Sequence, residues 1–253
     1  MVHFVGAGPG ASDLITLRGF KLLQEADVII YAGSLVNPEL LEYKKTSCMV
    51  YNSAYMSLPE VIQVMKEAKE KGFMTVRLHT GDPSIYGAIR EQMDELKRLE
   101  IDFNVCPGVS SFFGAAAALN IEYTLPDVSQ TVIITRMAGR TPVPEEESIR
   151  KLAAHQSTMV IFLSTGMLEE LSKELIAGGY DKTTPAAIVY KATWPEEKKI
   201  ICTVETLAER AKEENITKTA LIIVGNVLGE YYEYSKLYDE TFSTEFRTAK
   251  VTQ

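Results

Sequence analysis

The chain has 253 residues, of which 46% are hydrophobic and 24% charged, and its net charge is -8. This length allows one large domain or two modest ones, and the acidic balance argues against nucleic-acid binding by general electrostatics. No apolar run reaches the ~20 residues that span a bilayer, and the first residues lack the layout of a signal peptide, so we predict a cytoplasmic protein without membrane contact.

Cysteine and histidine are too scattered to indicate a disulfide framework or a metal site. The three cysteines and three histidines are Cys48, Cys106, Cys202, His3, His79 and His155. The sequence has no C-x-x-C motif, and no histidine lies beside a second ligand at metal spacing. We therefore predict buried thiols, structural or surface histidines and no bound metal.

Short β-branched runs alternate with amphipathic segments, a pattern typical of α/β sheets. In the first half, strands are predicted at 2–6, 27–31, 73–79 and 103–106. Apolar residues at helical spacing predict helices over 58–68 and 85–96, the second beginning near Ser84. In the second half, strands are predicted at 131–136, 158–164, 185–190, 199–204 and 220–225.

The polar segment 121–130 contains Pro126 and interrupts the two series of strands, which marks it as a connection between domains. We predict two α/β domains with mainly parallel sheets, at 1–122 and 123–235. The last residues, 236–253, are polar and lack a clear period, so they are predicted to form a peripheral or flexible tail.

The first of three strand-to-helix turns is GAGPGA at 6–11, which matches the dinucleotide fingerprint G-x-G-x-x-G/A. The second strand, however, runs into Tyr31, Ala32 and Gly33 and offers no acidic residue to hold a ribose. Pro9 also removes a backbone donor from the turn. These two features weaken the dinucleotide interpretation. A nicotinamide-dependent oxidoreductase nevertheless stays open as an alternative function, and the motif is also compatible with a plain tight turn that binds no ligand.

The second turn is HTGDPSIYGA at 79–88, again between a predicted strand and a predicted helix. Gly81 permits close backbone approach at the end of the strand. Asp82 has two interpretations. It accepts hydrogen bonds from a ligand, or it caps the helix predicted to begin near Ser84.

The third turn is CPGVSSFFGAAAAL at 106–119, which places the hydroxyls of Ser110 and Ser111 at the start of a helix. The alanine run allows this helix to pack closely against a flat partner. Because the carboxyl ends of parallel strands share one edge of a sheet, the three turns together predict a composite ligand cleft.

Together the three turns resemble the tetrapyrrole methylases, which implies two α/β domains with the cofactor cleft between them. The matching pieces are VHFVGAGPGASDLITLRG near the start, TGDPSIYGAI, PGVSSFFGAAA, VIFLS at 160–164, VYKATWPEE at 189–197 and TALIIVG at 219–225. Other pieces resemble the branch of the family that methylates carbon 11 of precorrin-4 or its cobalt form. These are YAGSLVNPELL at 31–41, DPSIYGAIREQ at 82–92 and TLPDVSQTVIITRMAGRTPVPEEE at 124–147.

The resemblance implies that S-adenosylmethionine donates a methyl group to that carbon during cobalamin biosynthesis, leaving S-adenosylhomocysteine. It also implies a homodimer. The implied cofactor contacts, largely through backbone atoms, are Pro9, Gly81, Asp82, Ile85, Ser110, Ser111, Leu163, Ala192, Thr219 and Ala220. Two further alternatives stay open: methylation of uroporphyrinogen or of another ring position, and ligand binding without catalysis. The sequence identifies no catalytic acid or base.

A tetrapyrrole substrate carries many carboxylates, whereas the chain has a net charge of -8, so local cations must provide the attraction. Arg136 and Arg140, in TRMAGR, are the candidates for substrate binding, since a guanidinium makes bidentate contacts with a carboxylate. The alternative is a solvated loop that exposes two arginines.

Overall fold

Two compact units make up the chain in the computed structural model, which describes residues 1–250. The first unit contains Met1–Ala115 together with Lys191–Glu197. The second unit contains Ala116–Tyr190 and the described residues from Lys198 onward. A short segment from late in the chain therefore belongs, by its contacts, to the unit built from the first residues.

The predicted domain boundaries, at 122/123 and 235/236, stay predictions. Residues 191–197, which we assigned to the second predicted domain, make their contacts in the first unit. In the predicted tail, the described residues 236–250 begin with a turn of 3-10 helix at Lys236–Tyr238 and are mostly exposed. Residues 251–253 lie outside the described part of the chain.

The first unit contains a parallel sheet, which within the described residues has the strand order β3-β2-β4-β1-β5. Its strands are β1 (Val2–Gly6), β2 (Val28–Tyr31), β3 (Met49–Asn52), β4 (Thr75–His79) and β5 (Phe103–Cys106). The predicted parallel architecture is confirmed for this sheet, to which the structure adds the unpredicted edge strand β3. Since β1 pairs with both β4 and β5, the turns that follow these three strands lie at one edge.

Helices cover both faces of this sheet, because successive residues of a strand point to opposite sides. These helices are α1 (Leu17–Glu25), α2 (Leu58–Glu70) and α3 (Arg90–Arg98), and a further helix, α4 (Ser111–Leu119), follows the turn after β5. Val5 of β1 packs in a buried cluster with Leu23 of α1. Phe4 packs on the other side with Met65 of α2 and Leu96 of α3, and burial of each such side chain contributes about 1.5–3 kcal/mol.

The helix predicted over 85–96 begins later than expected, at Arg90. Tyr86 and Ala88 have φ values of +55° and +49°, which a right-handed helix excludes. A Cβ built on Gly87 would lie 2.1 Å from the Pro83 carbonyl oxygen, so the chain there turns back on itself. Residues 83–89 therefore form an irregular turn, and the predicted helical start near Ser84 is wrong.

The second unit contains a mixed sheet, with the strand order β6-β7-β10-β8-β9 within the described residues. Its strands are β6 (Val132–Arg136), β7 (Thr158–Phe162), β8 (Pro185–Tyr190), β9 (Lys198–Thr203) and β10 (Ala220–Val224). β6 and β7 are parallel, whereas β10 is antiparallel to both β7 and β8, and β8 is antiparallel to β9. The prediction of a mainly parallel sheet is wrong for this unit. A parallel crossover takes about 12 residues or more, and only residues 191–197 connect β8 to β9.

Helices of the second unit bury a separate core against this sheet. They are α5 (Ile149–Ala153), α6 (Leu168–Ala177) and α7 (Leu207–Glu213). Leu171 and Leu175 of α6 pack with Met159 and Ile161 of β7 in one buried cluster. No helix within residues 1–250 has the length and apolar character that crossing a bilayer requires.

Candidate functional site

The turns after β1, β4 and β5 are joined by backbone and carboxylate hydrogen bonds. The Gly8 amide donates to the Gly81 carbonyl at 3.3 Å, and the Gly81 amide donates to the Gly8 carbonyl at 2.9 Å. The Gly108 amide donates to Oδ2 of Asp82 at 2.8 Å. The three glycine-containing turns found in the sequence therefore form one connected edge of the first sheet.

Glycine is required where these turns meet. A Cβ built on Gly108 would lie 2.3 Å from the Gly81 carbonyl oxygen and 2.7 Å from Cα of Gly6. A Cβ on Gly6 would lie 2.6 Å from both Cα and N of Gly108. Real side chains do not tolerate such distances to backbone atoms, so these glycines set how closely the turns approach one another.

Asp82 stabilises this edge internally. Its Oδ1 accepts hydrogen bonds from the Ser84 amide at 2.9 Å and the Ser84 hydroxyl at 2.5 Å, while Oδ2 accepts from Gly108. Burial raises the pKa of the Asp82 carboxyl, but the hydrogen bonds from Ser84 and Gly108 outweigh burial and hold that pKa below its usual value. Asp82 is thus a carboxylate that closes a turn, and its two oxygens retain acceptor capacity for a further donor.

The segment Lys191–Glu197 contacts the GAGPGA turn within the first unit. The Thr193 hydroxyl accepts a hydrogen bond from the Ala11 amide at 2.9 Å. A Cβ built on Gly10 would lie 2.1 Å from the Trp194 ring and 2.7 Å from the Ala192 carbonyl oxygen. In addition, Nδ2 of the buried Asn37 donates to the Gly10 carbonyl at 2.9 Å. These contacts fix Gly10, and with it the neighbouring Pro9.

Strained backbone positions occur at two predicted contact residues, Leu163 and Thr219, and at Thr193, which follows the predicted contact Ala192. Leu163 has a φ value of +53° and is 67% exposed, although it is a large apolar residue. The β-branched residues Thr193 and Thr219 have φ values of +70° and +58°. Such conformations cost about 1–3 kcal/mol each and cluster at functional sites, where the surrounding structure holds them. They therefore support a ligand-binding role for the segments that contain them.

In the second unit, the ends of β6 and β7 and the start of β10 lie at one edge of the sheet. The Ser164 hydroxyl accepts from the Met137 amide at 2.9 Å and donates to the Phe162 carbonyl at 2.7 Å. The Thr165 hydroxyl donates to the Ala220 carbonyl at 3.1 Å. The hydrogen bonds of these buried hydroxyls connect the ends of β6 and β7 to the start of β10. Arg136, Leu163, Thr219 and Ala220 lie at this edge of the sheet.

The two candidate arginines differ in their surroundings. Arg136 donates from Nη1 to the carbonyls of Met137 at 3.1 Å and Thr141 at 3.2 Å, and from Nη2 to the Pro142 carbonyl at 2.8 Å. Its guanidinium thus shapes the loop that follows β6. Arg140 lies on this loop with an exposed side chain, which makes no hydrogen bond or ion pair within residues 1–250.

The predicted cofactor contacts are divided between the two units. Those in the first unit are Pro9, Gly81, Asp82, Ile85, Ser110, Ser111 and Ala192. Those in the second unit are Leu163, Thr219 and Ala220, on the same edge as Arg136. Sequence reasoning missed Asn37, Ser164, Thr165 and Thr193, whose side chains hold these turns in place. A signal was present for Ser164 and Thr165, two hydroxyls directly after a buried strand.

Comparison with known proteins places this architecture in a family. A model of the tetrapyrrole (corrin/porphyrin) methylases matches residues 1–208. The chain belongs to this family. It is 60% identical to a cobalt-precorrin-4 C(11)-methyltransferase of Methanocaldococcus jannaschii, over 97% of this chain and 95% of the relative. It is 47% identical to a protein of the same name from Priestia megaterium, over 97% of each chain.

Solved structures show the same fold. A cobalt precorrin-4 methyltransferase superimposes with a TM-score of 0.89 at 47% identity, over 90% of this chain and 96% of that one. A uroporphyrin-III C-methyltransferase from Thermus thermophilus, complexed with S-adenosylhomocysteine, superimposes with a TM-score of 0.74 at 26% identity, over 92% and 95% of the two chains. The predicted family and α/β class are therefore confirmed.

The nicotinamide alternative finds no support in these relatives or in the first turn. After GAGPGA the chain forms a short 3-10 helix at Ser12–Leu14, and α1 begins only at Leu17. A dinucleotide site requires a helix N-terminus directly behind the glycines, aimed at the pyrophosphate. The fingerprint is therefore a coincidental match to a methylase turn.

Proposed function

We propose that this chain transfers a methyl group from S-adenosylmethionine to carbon 11 of cobalt-precorrin-4, giving the cobalt-precorrin-5 form and S-adenosylhomocysteine. The observation that carries the proposal is the identity of 60% and 47%, across 97% of the chain, to relatives named for this reaction. The cobalt form is the favoured substrate because relatives named without cobalt are less similar, at 41% identity. The homodimer stays a prediction.

The residues present fit a sulfonium cofactor that needs close backbone contact and no metal. When bound, S-adenosylmethionine supplies an electrophilic methyl group, and transfer needs the sulfur, methyl and ring carbon in line. The first unit offers the turns at Pro9, Gly81 and Ser110, held by the hydrogen bonds described above, and the second offers the exposed Leu163 and the Thr219–Ala220 backbone. We propose that these residues, with Asp82, Ile85, Ser111 and Ala192, bind the cofactor.

For the substrate, Arg140 and Arg136 take different roles in this proposal. Arg140 binds a carboxylate of the macrocycle, since its exposed guanidinium has all its donors available. Arg136 donates to three carbonyls of its own loop and therefore shapes the surface that presents Arg140. Arg136 contributes to substrate binding chiefly through this loop.

The reaction itself is the first test. Incubation with S-adenosylmethionine and either cobalt-precorrin-4 or precorrin-4 is expected to add one methyl group at carbon 11, located by NMR and mass spectrometry. Turnover is expected to be faster with the cobalt form. A methyl group at another position, or turnover with uroporphyrinogen instead, would favour a different reaction of the same family. Binding of S-adenosylhomocysteine without any turnover would favour the non-catalytic alternative.

Replacing Arg140 with glutamine is expected to weaken tetrapyrrole binding by at least about tenfold, because one charge-assisted contact contributes about 1.5–3 kcal/mol. Affinity for S-adenosylhomocysteine, measured by calorimetry, should be unchanged. Arg136→Gln should also weaken substrate binding and, unlike Arg140→Gln, lower the melting temperature, because three hydrogen bonds of the loop are lost. Arg98→Gln, at an exposed ion pair on α3, is the control for loss of one charge. Normal substrate binding by Arg140→Gln would remove Arg140 from the site.

A further inference from the structure

A buried polar pair lies between β4 and α3, on the side of the first sheet that faces α3. Arg77 and Gln92 are 7% and 5% exposed. Nε of Arg77 donates to Oε1 of Gln92 at 3.1 Å, and Nη1 donates to the Ile30 carbonyl at 3.2 Å. A charged residue in this position is unusual, since a well-packed apolar pair would avoid the desolvation of the guanidinium.

Gln92 connects this buried charge to the turn after β4. Its Nε2 donates to the Ala88 carbonyl at 2.8 Å. The orientation of the amide follows from chemistry, because a guanidinium only donates and a carbonyl only accepts, so the oxygen must face Arg77 and the nitrogen Ala88. One side chain thus links the core of the sheet to the exposed end of the turn.

The turn that Gln92 holds is strained. Tyr86 and Ala88 have positive φ values, and Gly87 packs tightly on the Pro83 carbonyl. At its start, this turn is fixed to the neighbouring one by the bond from Gly108 to Asp82. At its end, the turn is fixed to α3 by the hydrogen bond from the Gln92 side chain to the Ala88 carbonyl. Ile85, one of the proposed cofactor contacts, lies between these two fixed points.

We propose that Gln92 is a positioning residue for cofactor binding, which holds residues 85–88 in the conformation that receives the cofactor, with Arg77 orienting its amide. This inference rests on the proposed function, because it assigns a role to the same turn. Burial lowers the pKa of the Arg77 guanidinium to about 10, so Arg77 remains charged at neutral pH and keeps the Gln92 amide oriented.

The variant Gln92→Glu keeps the hydrogen bond from Arg77 and removes the one to the Ala88 carbonyl, so it tests the second bond by itself. A carboxylate still accepts from Arg77, but at pH 8 it has no proton to donate to the Ala88 carbonyl. We expect the melting temperature to be preserved or raised, and the affinity for S-adenosylhomocysteine, measured by calorimetry, to fall by at least about fivefold. Gln63→Glu, at an exposed hydrogen bond on α2, is the matched control and should bind normally. Addition of Ala88→Gly to Gln92→Glu should restore part of the affinity, since glycine adopts a positive φ without support.

A second pair of variants tests the turn without touching the core. Ala88→Val places a β-branched residue at a φ of +49° on an exposed position and should weaken S-adenosylhomocysteine binding by at least about fivefold. Glu100→Val introduces the same strain at a φ of +53°, after α3, and should leave binding unchanged. Normal S-adenosylhomocysteine binding by Gln92→Glu would overturn the positioning role but leave the proposed function intact. If Gln92→Glu does not fold, normal binding by Ala88→Val would have the same meaning. Failure of the unmodified chain to bind S-adenosylhomocysteine would overturn the proposed function and this inference with it.

Discussion

Gly108→Ala is expected to lower kcat/KM for methyl transfer by about a hundredfold, since a shift of about 1 Å in a binding turn has effects of that size. It should also lower the free energy of unfolding by about 3 kcal/mol, the upper end for an overpacked site. The added methyl group would lie 2.3 Å from the Gly81 carbonyl oxygen and 2.7 Å from Cα of Gly6. Both are backbone atoms, so two of the three turns must move to make room.

The movement would also affect Asp82, because the Gly108 amide donates to its carboxylate. Calorimetry with S-adenosylhomocysteine and denaturant unfolding measure the two effects separately. Gly166→Ala is the control, since the nearest atom to its added Cβ is the Thr217 carbonyl oxygen at 4.0 Å. Wild-type affinity and stability in Gly108→Ala would show that the contact between the turns is not needed for the site.

Local patterns predicted most of the strands, because alternation and β-branched runs report directly on burial within a short stretch. The sheet of the second unit shows the limit of this reasoning. Strand direction depends on the connections, and the connection of residues 191–197 is too short for a parallel pair of β8 and β9. The predicted strands at 185–190 and 199–204 already leave too few residues between them for a parallel crossover, so this antiparallel pair is predictable from the sequence.

Long-range contacts at the site had no local signal. The sequence offered two interpretations of Asp82, a ligand contact or a helix cap, whereas its carboxylate closes a turn with Ser84 and binds Gly108, a residue 26 positions away. Arg136 was predicted as a substrate contact from its charge, but its guanidinium is engaged by its own loop. Residue types indicated that polar groups would gather at these strand ends, while their partners depend on the tertiary fold.

His79, at the end of β4, is expected to make the chain sensitive to acid. Its ring is 4% exposed, and within residues 1–250 its Nε2 has no hydrogen-bond partner. Burial, aided by the Arg77 charge, lowers the pKa of His79 to about 3. In the unfolded chain a histidine has a pKa of about 6.5, so below that pH the unfolded state binds a proton that the folded state does not. The free energy of unfolding should therefore fall as the pH falls, by about 2 kcal/mol between pH 7 and pH 5 from this residue alone.

His79→Leu removes the titrating group while keeping a side chain of similar size. Denaturant unfolding at pH 7 and pH 5 should show that the variant loses about 2 kcal/mol less than the wild type over this interval. The carboxylates titrate in both proteins, so the difference between the two pH dependences isolates His79. Phe4→Leu, at a ring whose centroid lies 6.1 Å from that of His79, alters the same packing without a titrating group and should lower stability equally at both pH values. If the stability of the wild type and that of His79→Leu depended on pH in the same way, His79 would have to accept a proton in the folded state. Its burial beside Phe4 and the charged Arg77 argues against that outcome.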